Sequence, residues 1–244
     1  MGTSQSHNLK KGPNWAEAKR SITSIANEQG NTDENCKKFV SSFSKAIGDN
    51  VFRNNRQRGG RSLFGNAGAR MSNNLILFIK DVRSNGIAGV LQINGEPVGQ
   101  QPVEKKDFIE KILSYLSGEH DSSMDDAAAI DAMNKLLDSI LADCETQEEI
   151  EKKLKNATED DLVNWVVSFE IEYLLEYSAE LFQSHIFSKS DNPEKVLCQI
   201  KKWLHRELDE MLTDNLKEVN LDSQEGEKIL DNLTAEILEI WKQK

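Results

Sequence analysis

The sequence has no long apolar run and few prolines, and each shortage excludes a class of protein. Its longest apolar stretch, Leu75 to Ile79, is too short for a signal peptide or a membrane span, so we expect neither. Four prolines and 14 glycines among 244 residues are too few for a turn-rich all-β protein.

Cysteine is also scarce. Cys36, Cys144 and Cys198 lie far apart and form no Cys-x-x-Cys pair. This pattern is typical of neither a disulfide framework nor a zinc site, and it favours a reducing, cytoplasmic location. Because Cys144 and Cys198 fall near apolar stripes of helical period, we expect both to be buried.

Motifs that carry catalytic chemistry are missing. The sequence has no nucleophile elbow, phosphate-binding loop or kinase signature. His205 and Asp209 are spaced like two metal ligands on a helix, but no third ligand accompanies them. We therefore predict a protein that is not an enzyme and that uses no metal and no cofactor.

Apolar residues recur at helical spacing along almost the whole chain, and 29% of all residues are charged. This pattern predicts an all-α fold, an irregular multi-helix bundle in one or two lobes. We divide the chain into a flexible amino-terminal tail (1–14), a basic helical region with an Arg/Gly-rich loop (15–93) and an acidic helical bundle (102–244).

Helix boundaries follow from capping residues and from glycine or proline. Thr146 with Glu149, and Thr158 with Asp161, have the spacing of a capping box. The clearest predicted helices run over about 15–27, 33–47, 67–83, 158–187 and 193–216.

The net charge of −11 hides an uneven distribution. Residues 1–80 contain 13 Lys and Arg against 5 Asp and Glu, whereas residues 81–244 contain 17 against 36. The basic amino-terminal part therefore meets either an external partner or the acidic remainder of its own chain.

Arginines and glycines are concentrated between residues 53 and 70. Because guanidinium groups bind phosphates and glycine lets the backbone approach closely, nucleic acid is one expected partner. The acidic half of the chain is the other, since aromatic residues for base stacking are sparse here. The candidate binding residues are Arg53, Arg56, Arg58, Arg61 and Arg70.

The predicted helix over 158–187 carries a row of acids. Glu172, Glu176 and Glu180 follow one another at four-residue steps, and Glu170 lies beside them. Like charges at this spacing repel slightly. We predict a solvated face, with a surface for a basic partner as the alternative.

The amino terminus offers a reachable nucleophile. A small residue after Met1 allows the initiator to be removed, which leaves Gly2 as an unbranched amino terminus. An α-amino group has a pKa of about 7.7 to 8.0, so part of it is uncharged near neutral pH. The first six residues also match the pattern for myristoylation, although one acyl chain gives only marginal membrane attachment.

Four features of the chain resemble the QatB family of bacterial antiphage defence proteins. The similarity is spread over residues 1–190, and the Gly/Pro-rich stretch that precedes the tryptophan in the family is shorter here. The features are Met1-Gly2-Thr3-Ser4 with Ser6, Gly12-Pro13 with Trp15, Arg58-Gly59-Gly60 with Gly68-Ala69-Arg70, and Gly86 to Leu91 followed by an acidic helix around Asp125 to Leu137.

This resemblance implies a non-enzymatic component of a defence complex. Its partners would be an ATPase, a QueC-like enzyme and a TatD-like nuclease. The Gly2 amine would accept a deazaguanine group from the QueC-like enzyme, with Thr3 and Ser4 as recognised neighbours, while the helical body docks the ATPase. The alternatives are a nucleic-acid-binding accessory protein and a structural scaffold with an unmodified tail.

Overall fold

The computed structural model describes residues 12–48, 50–53, 64–93, 96–97, 105–118 and 123–244. Over these residues the fold is all-α, as predicted, apart from one antiparallel pair of two-residue strands. The elements are α1 (Pro13–Ala26), α2 (Thr32–Ile47), α3 (Asn66–Asn85), α4 (Ile87–Val90), β1 (Gln92–Ile93), β2 (Glu96–Pro97), α5 (Lys105–Ser117), α6 (Met124–Ile140), α7 (Gln147–Lys155), α8 (Glu159–Lys189), α9 (Pro193–Lys217) and α10 (Gln224–Lys242).

Capping side chains set the starts of α7 and α8. Thr146 accepts a hydrogen bond from the Glu149 N–H at 3.3 Å, and the Glu149 carboxylate accepts one from the Thr146 N–H at 3.1 Å. Thr158 and Asp161 form the same reciprocal pair. Both predicted capping boxes are confirmed.

The long helix α8 lies at the centre of the bundle. It packs mainly against α6 and α9, and α1 and α3 also contact it. The last helix, α10, returns to pack on α2 and α3. Apolar side chains of regions 15–93 and 102–244 consequently belong to one hydrophobic core.

Three buried phenylalanines and a tryptophan fix the two amino-terminal helices on α8. Trp15 lies 6.2 Å from Phe43 and 5.6 Å from Phe182, measured between ring centroids. Phe39 contacts Phe182 edge-on at 5.5 Å. Such aromatic contacts add to the stabilisation from burial alone, so α1 and α2 are held firmly against the centre of the bundle.

We predicted that Cys144 and Cys198 are buried. This prediction is confirmed for Cys144 and wrong for Cys198. Cys144 is buried, whereas Cys198 is exposed on α9. Val196 and Ile200, two positions away on either side, face the core, and Cys198 lies on the opposite side of the helix. None of the helices in the described ranges has the length and apolar character that a membrane crossing needs.

Candidate functional site

Two of the predicted site residues, Arg53 and Arg70, can be located in the structure. The others lie outside the described residues; they are Gly2, Thr3, Ser4, Arg56, Arg58 and Arg61.

The amino-terminal segment joins the helical body at an exposed point. Gly12 and Pro13 are exposed, and Gly12 has a φ of +119°, in the region that favours glycine. Pro13 occupies the first turn of α1, where its missing N–H has no cost. Two residues later, Trp15 is 5% exposed and belongs to the aromatic contacts with Phe43 and Phe182. The residues ahead of Gly12 therefore start from the surface of a well-anchored helix.

Arg53 lies directly before residues 54–63. The residues on either side of this range contact each other. The Phe52 N–H donates to the Phe64 carbonyl at 2.7 Å, and Val51 is bridged to Phe64. The Arg53 guanidinium binds the Glu239 carboxylate of α10 at 2.7 Å. Arg53 is thus paired with an acid of the carboxyl-terminal helix.

A buried carboxylate holds the start of α3. Asp125 of α6 accepts hydrogen bonds from the Gly65 N–H at 3.0 Å and the Ala67 N–H at 2.9 Å, and from the Tyr173 hydroxyl of α8. We call these four residues the Asp125 cluster. Burial raises the pKa of Asp125 despite these three donors. A carboxylate is well placed here because a helix N-terminus carries unpaired N–H groups and a partial positive charge.

Arg70 binds the neighbouring acid. Its guanidinium lies 2.6 Å from the Asp126 carboxylate, which also accepts a hydrogen bond from the Ser123 hydroxyl. Although burial raises it, the pKa of Asp126 is held below its ordinary value by Ser123 and Arg70. Arg70 and Asp126 therefore fasten α3 to α6 beside the Asp125 cluster.

The glycine of the Gly68-Ala69-Arg70 segment has a packing role. A Cβ atom at position 68 would lie 2.3 Å from the Tyr173 ring, closer than real Cβ contacts. Gly68 thus lets the Tyr173 ring lie directly against α3, where its hydroxyl reaches Asp125. The Gly68 to Arg70 segment and the acidic helix from Asp125, which the resemblance singled out separately, meet at this one place.

Arg53 and Arg70 of the 53–70 stretch both bind acids of residues 81–244. The acidic part of the chain was one of the two partners expected for this stretch. Lys80 and Arg83 of α3 add to this connection, pairing with Asp222 at 3.9 Å and Glu159 at 3.6 Å. Sequence alone left the choice open, because the partners lie at least 56 residues away.

The acids of α8 divide between two faces. Glu170 is fully buried, and the Thr234 hydroxyl donates to its carboxylate at 3.1 Å. Burial raises its pKa to about 8. The prediction of a solvated face is therefore wrong for Glu170, whose carboxyl group lies in the core beside Thr234 of α10, and also for Glu172, which is 7% exposed. Glu172 and Glu176, on the other face, bind Lys201 and Lys135.

This second face lies along a groove of about 750 Å³ that the sequence did not indicate. We call it the lysine groove. Its lining comes from α6, α7, α8 and α9 and the short connection after α7. The lining residues are Lys135, Leu136, Ser139, Ile140, Lys153, Asn156, Ala157, Asp161, Trp165, Ser168, Glu172, Lys201 and His205.

His205 and Glu172 are two partly or largely buried polar side chains of the groove. Burial, with Lys201 next in effect, lowers the pKa of His205 below its ordinary value. Glu172 is 7% exposed, and its Oε2 has no hydrogen-bond partner within the described part of the chain. The three lysines of the groove are paired with acids: Lys135 with Glu176, Lys153 with Asp143 and Lys201 with Glu172.

Within the ranges given above, no three His, Cys, Asp or Glu side chains are grouped to hold a metal ion. Comparisons of the chain with protein families, with curated proteins and with solved structures gave no match.

Proposed function

We propose that this protein is a non-enzymatic component of a bacterial antiphage defence complex in which Gly2 accepts a deazaguanine group. The QueC-like enzyme would supply that group, and the helical body would dock the ATPase and the TatD-like nuclease. The proposal starts from the resemblance of the amino-terminal residues and of the segments around Arg70 and Asp125 to the QatB family. A reducing cytoplasm suits the three cysteines, all of which are free.

The observation that carries the proposal is the exposed start of α1. Gly12 lies ten residues after Gly2, and ten residues span at most about 35 Å. Because Gly12 and Pro13 are exposed while Trp15 is buried, a pull on the segment would be resisted at Trp15 and would leave the bundle intact. A substrate that must enter another protein's active site needs such an anchored base and such a reach.

The chemistry asked of Gly2 is simple. The partner enzyme activates a deazaguanine carboxylate with ATP, and the uncharged Gly2 amine attacks the activated carbonyl carbon. A C–N bond forms, the bond to the activating group breaks, and the amine nitrogen loses a proton. The product is an amide. This chain contributes the nucleophile and no further catalytic group.

Intact-mass measurement tests the proposal on the full chain co-expressed with the QueC-like enzyme. We expect a mass increase equal to one deazaguanine acyl group, located on Gly2 by peptide fragmentation. Gly2→Pro should abolish the increase, because its amino terminus is a hindered secondary amine. Co-expression with an inactive form of the enzyme is the matched control.

Other outcomes of this measurement would contradict the proposal. An unmodified Gly2 alongside an active enzyme would favour the scaffold alternative, and a myristoyl mass would favour membrane attachment. The nucleic-acid alternative draws no support from Arg53 or Arg70, since each pairs with an acid of the same chain.

A further inference from the structure

Glu170 is a carboxyl group in the core with one neutral partner. It has no exposed surface, and the Thr234 hydroxyl of α10 lies 3.1 and 3.3 Å from its two oxygens. In the part of the chain that the structure describes, no cation interacts with it. One hydroxyl proton cannot compensate a buried negative charge that is shared by two oxygens. The folded protein therefore keeps Glu170 protonated.

The titratable groups around Glu170 favour the same protonated form. Asp125 of α6 raises the pKa of Glu170 further through its negative charge. Tyr173, on the same helix as Glu170, is a phenol whose own pKa is raised by burial, by Asp125 and by Glu170. The group that α10 contributes, Thr234, is neutral, and no charged side chain of α3 acts on Glu170. Each of these helices therefore opposes a negative charge on Glu170.

The bond between Glu170 and Thr234 joins two sets of helices. α8, which carries Glu170, packs mainly on α6 and α9, whereas α10 packs mainly on α2 and α3. α10 can therefore part from Glu170 while the packing of α6, α8 and α9 is kept. Opening of one element in this way needs less free energy than unfolding of the whole domain.

We propose that the contact between Glu170 and Thr234 is a proton-dependent latch, which holds α10 on the bundle while Glu170 is protonated. When Glu170 ionises, a charge appears in the core, and the parting of α10 lets water reach it. Opening of the latch also separates Arg53 from Glu239 and uncovers the faces of α2 and α3 beneath α10. This inference concerns the helical body and is independent of the modification proposed for Gly2.

The direction of the pH effect follows from the two states of the latch. With α10 closed, the pKa of Glu170 is about 8, and with α10 open it returns close to its ordinary value of 4.5. Because only the closed state keeps the proton between these values, the equilibrium constant for opening rises about tenfold per pH unit from about pH 5 to pH 8. Lys242 and Arg53 hold the pKa of Glu239 on α10 below its ordinary 4.5, so Glu239 does not contribute in this range.

Hydrogen exchange of backbone amides, followed by mass spectrometry on the full-length protein, measures this opening. We expect amides of α10 to be less protected than those at the centre of α8. Their protection factors, corrected for the intrinsic exchange rate, should fall about tenfold per pH unit between about pH 6 and pH 8. Glu170→Gln keeps the shape of the side chain and cannot ionise, so this pH dependence should disappear. The matched control is Glu236→Gln, at an exposed position of α10, which should behave like the wild type.

A second variant serves if Glu170→Gln does not fold. Thr234→Val removes the hydroxyl that lowers the pKa of Glu170, so the fall in α10 protection should continue above pH 8, where it stops in the wild type. The inference is overturned if α10 protection in the wild type does not depend on pH, or if Glu170→Gln keeps the wild-type dependence. Equal protection of α10 and the centre of α8 would also overturn it, because the whole bundle would then open together.

Discussion

Glu170 and Glu172 lie two residues apart on α8, and both are buried, but they face different neighbours. Glu170 faces Thr234 of α10, has no exposed surface and has a pKa of about 8. Glu172 faces the lysine groove, where Lys201 binds one of its oxygens. Two residues along the helix, the carboxyl group thus changes from a hydroxyl partner in the core to a lysine partner at the buried wall of the groove.

This difference predicts unequal contributions to stability. On the sealed side, Glu170 and the Asp125 cluster are enclosed by α3, α6 and α10, so each lost contact leaves a polar group buried and unpaired. On the open side, the lysines of the groove can exchange protein partners for water. We therefore expect substitutions on the sealed side to change the free energy of unfolding more than those on the open side.

Asp125→Ala should have the largest effect. It leaves the Gly65 and Ala67 N–H groups and the Tyr173 hydroxyl without their shared acceptor. We expect the free energy of unfolding to fall by about 3–5 kcal/mol in urea denaturation followed by circular dichroism. Asp131→Ala, at an exposed position of the same helix, is the control. Equal losses in the two variants would show that the cluster has no special weight.

Glu170→Gln should stabilise the protein increasingly as the pH rises. The folded pKa of Glu170, about 8, lies above its ordinary value of 4.5, so the folded state retains a proton that the unfolded state loses. Stability from this group is therefore lost between about pH 5 and pH 8 in the wild type and not in the variant. The gain should reach a few kcal/mol at about pH 9, since one pKa unit corresponds to about 1.4 kcal/mol. A gain independent of pH would contradict the assignment.

Gly68→Ala tests how tightly the sealed side is packed. The new Cβ atom would overlap the Tyr173 ring, which its bond to Asp125 and its stacking on Phe169 hold in place. We expect a loss of about 1–3 kcal/mol, measured by urea denaturation. Tyr173→Leu in the same chain should make the added cost of Gly68→Ala much smaller. If the losses in the free energy of unfolding of the two substitutions simply add, the Tyr173 ring does not restrict the space at position 68.

Lys135→Gln should have the smallest effect on stability. The Lys135 ammonium binds Glu176 on the open side, where half of the lysine side chain is exposed. We expect the free energy of unfolding to change by less than about 1 kcal/mol, and added salt to reduce the difference further. A loss of unfolding free energy as large as that of Asp125→Ala would contradict the distinction between the sealed side and the open side of α8.

Sequence reasoning predicted the helices well because their signals are local. Gly48 follows the predicted end of α2, and the capping threonines Thr146 and Thr158 lie where α7 and α8 begin. The predicted start of α1, Trp15, lies two positions after the observed start, Pro13. Capping and apolar period depend on residues within one or two turns, so one sequence is enough to detect them.

The sites could not be predicted in the same way. Asp125 binds the N–H of Ala67, in the first turn of α3 and 58 residues earlier in the chain, and the lysine groove joins side chains of four different helices. One local signal for Glu170 was nevertheless present. Its neighbours one turn away on either side are Val166, Val167, Tyr173 and Leu174, all apolar, and this pattern indicates a buried acid.

The start of α1 also affects how the chain can diverge. Because Pro13 begins the helix at the surface and Trp15 secures it, α1 is anchored to the bundle by its own residues. Under the proposed modification of Gly2, selection could adjust the acceptor residues to the partner enzyme while the anchored helix stays the same. Under the same proposal, an affinity tag on the amino end would hide the Gly2 amine, so a purification tag belongs after Lys244.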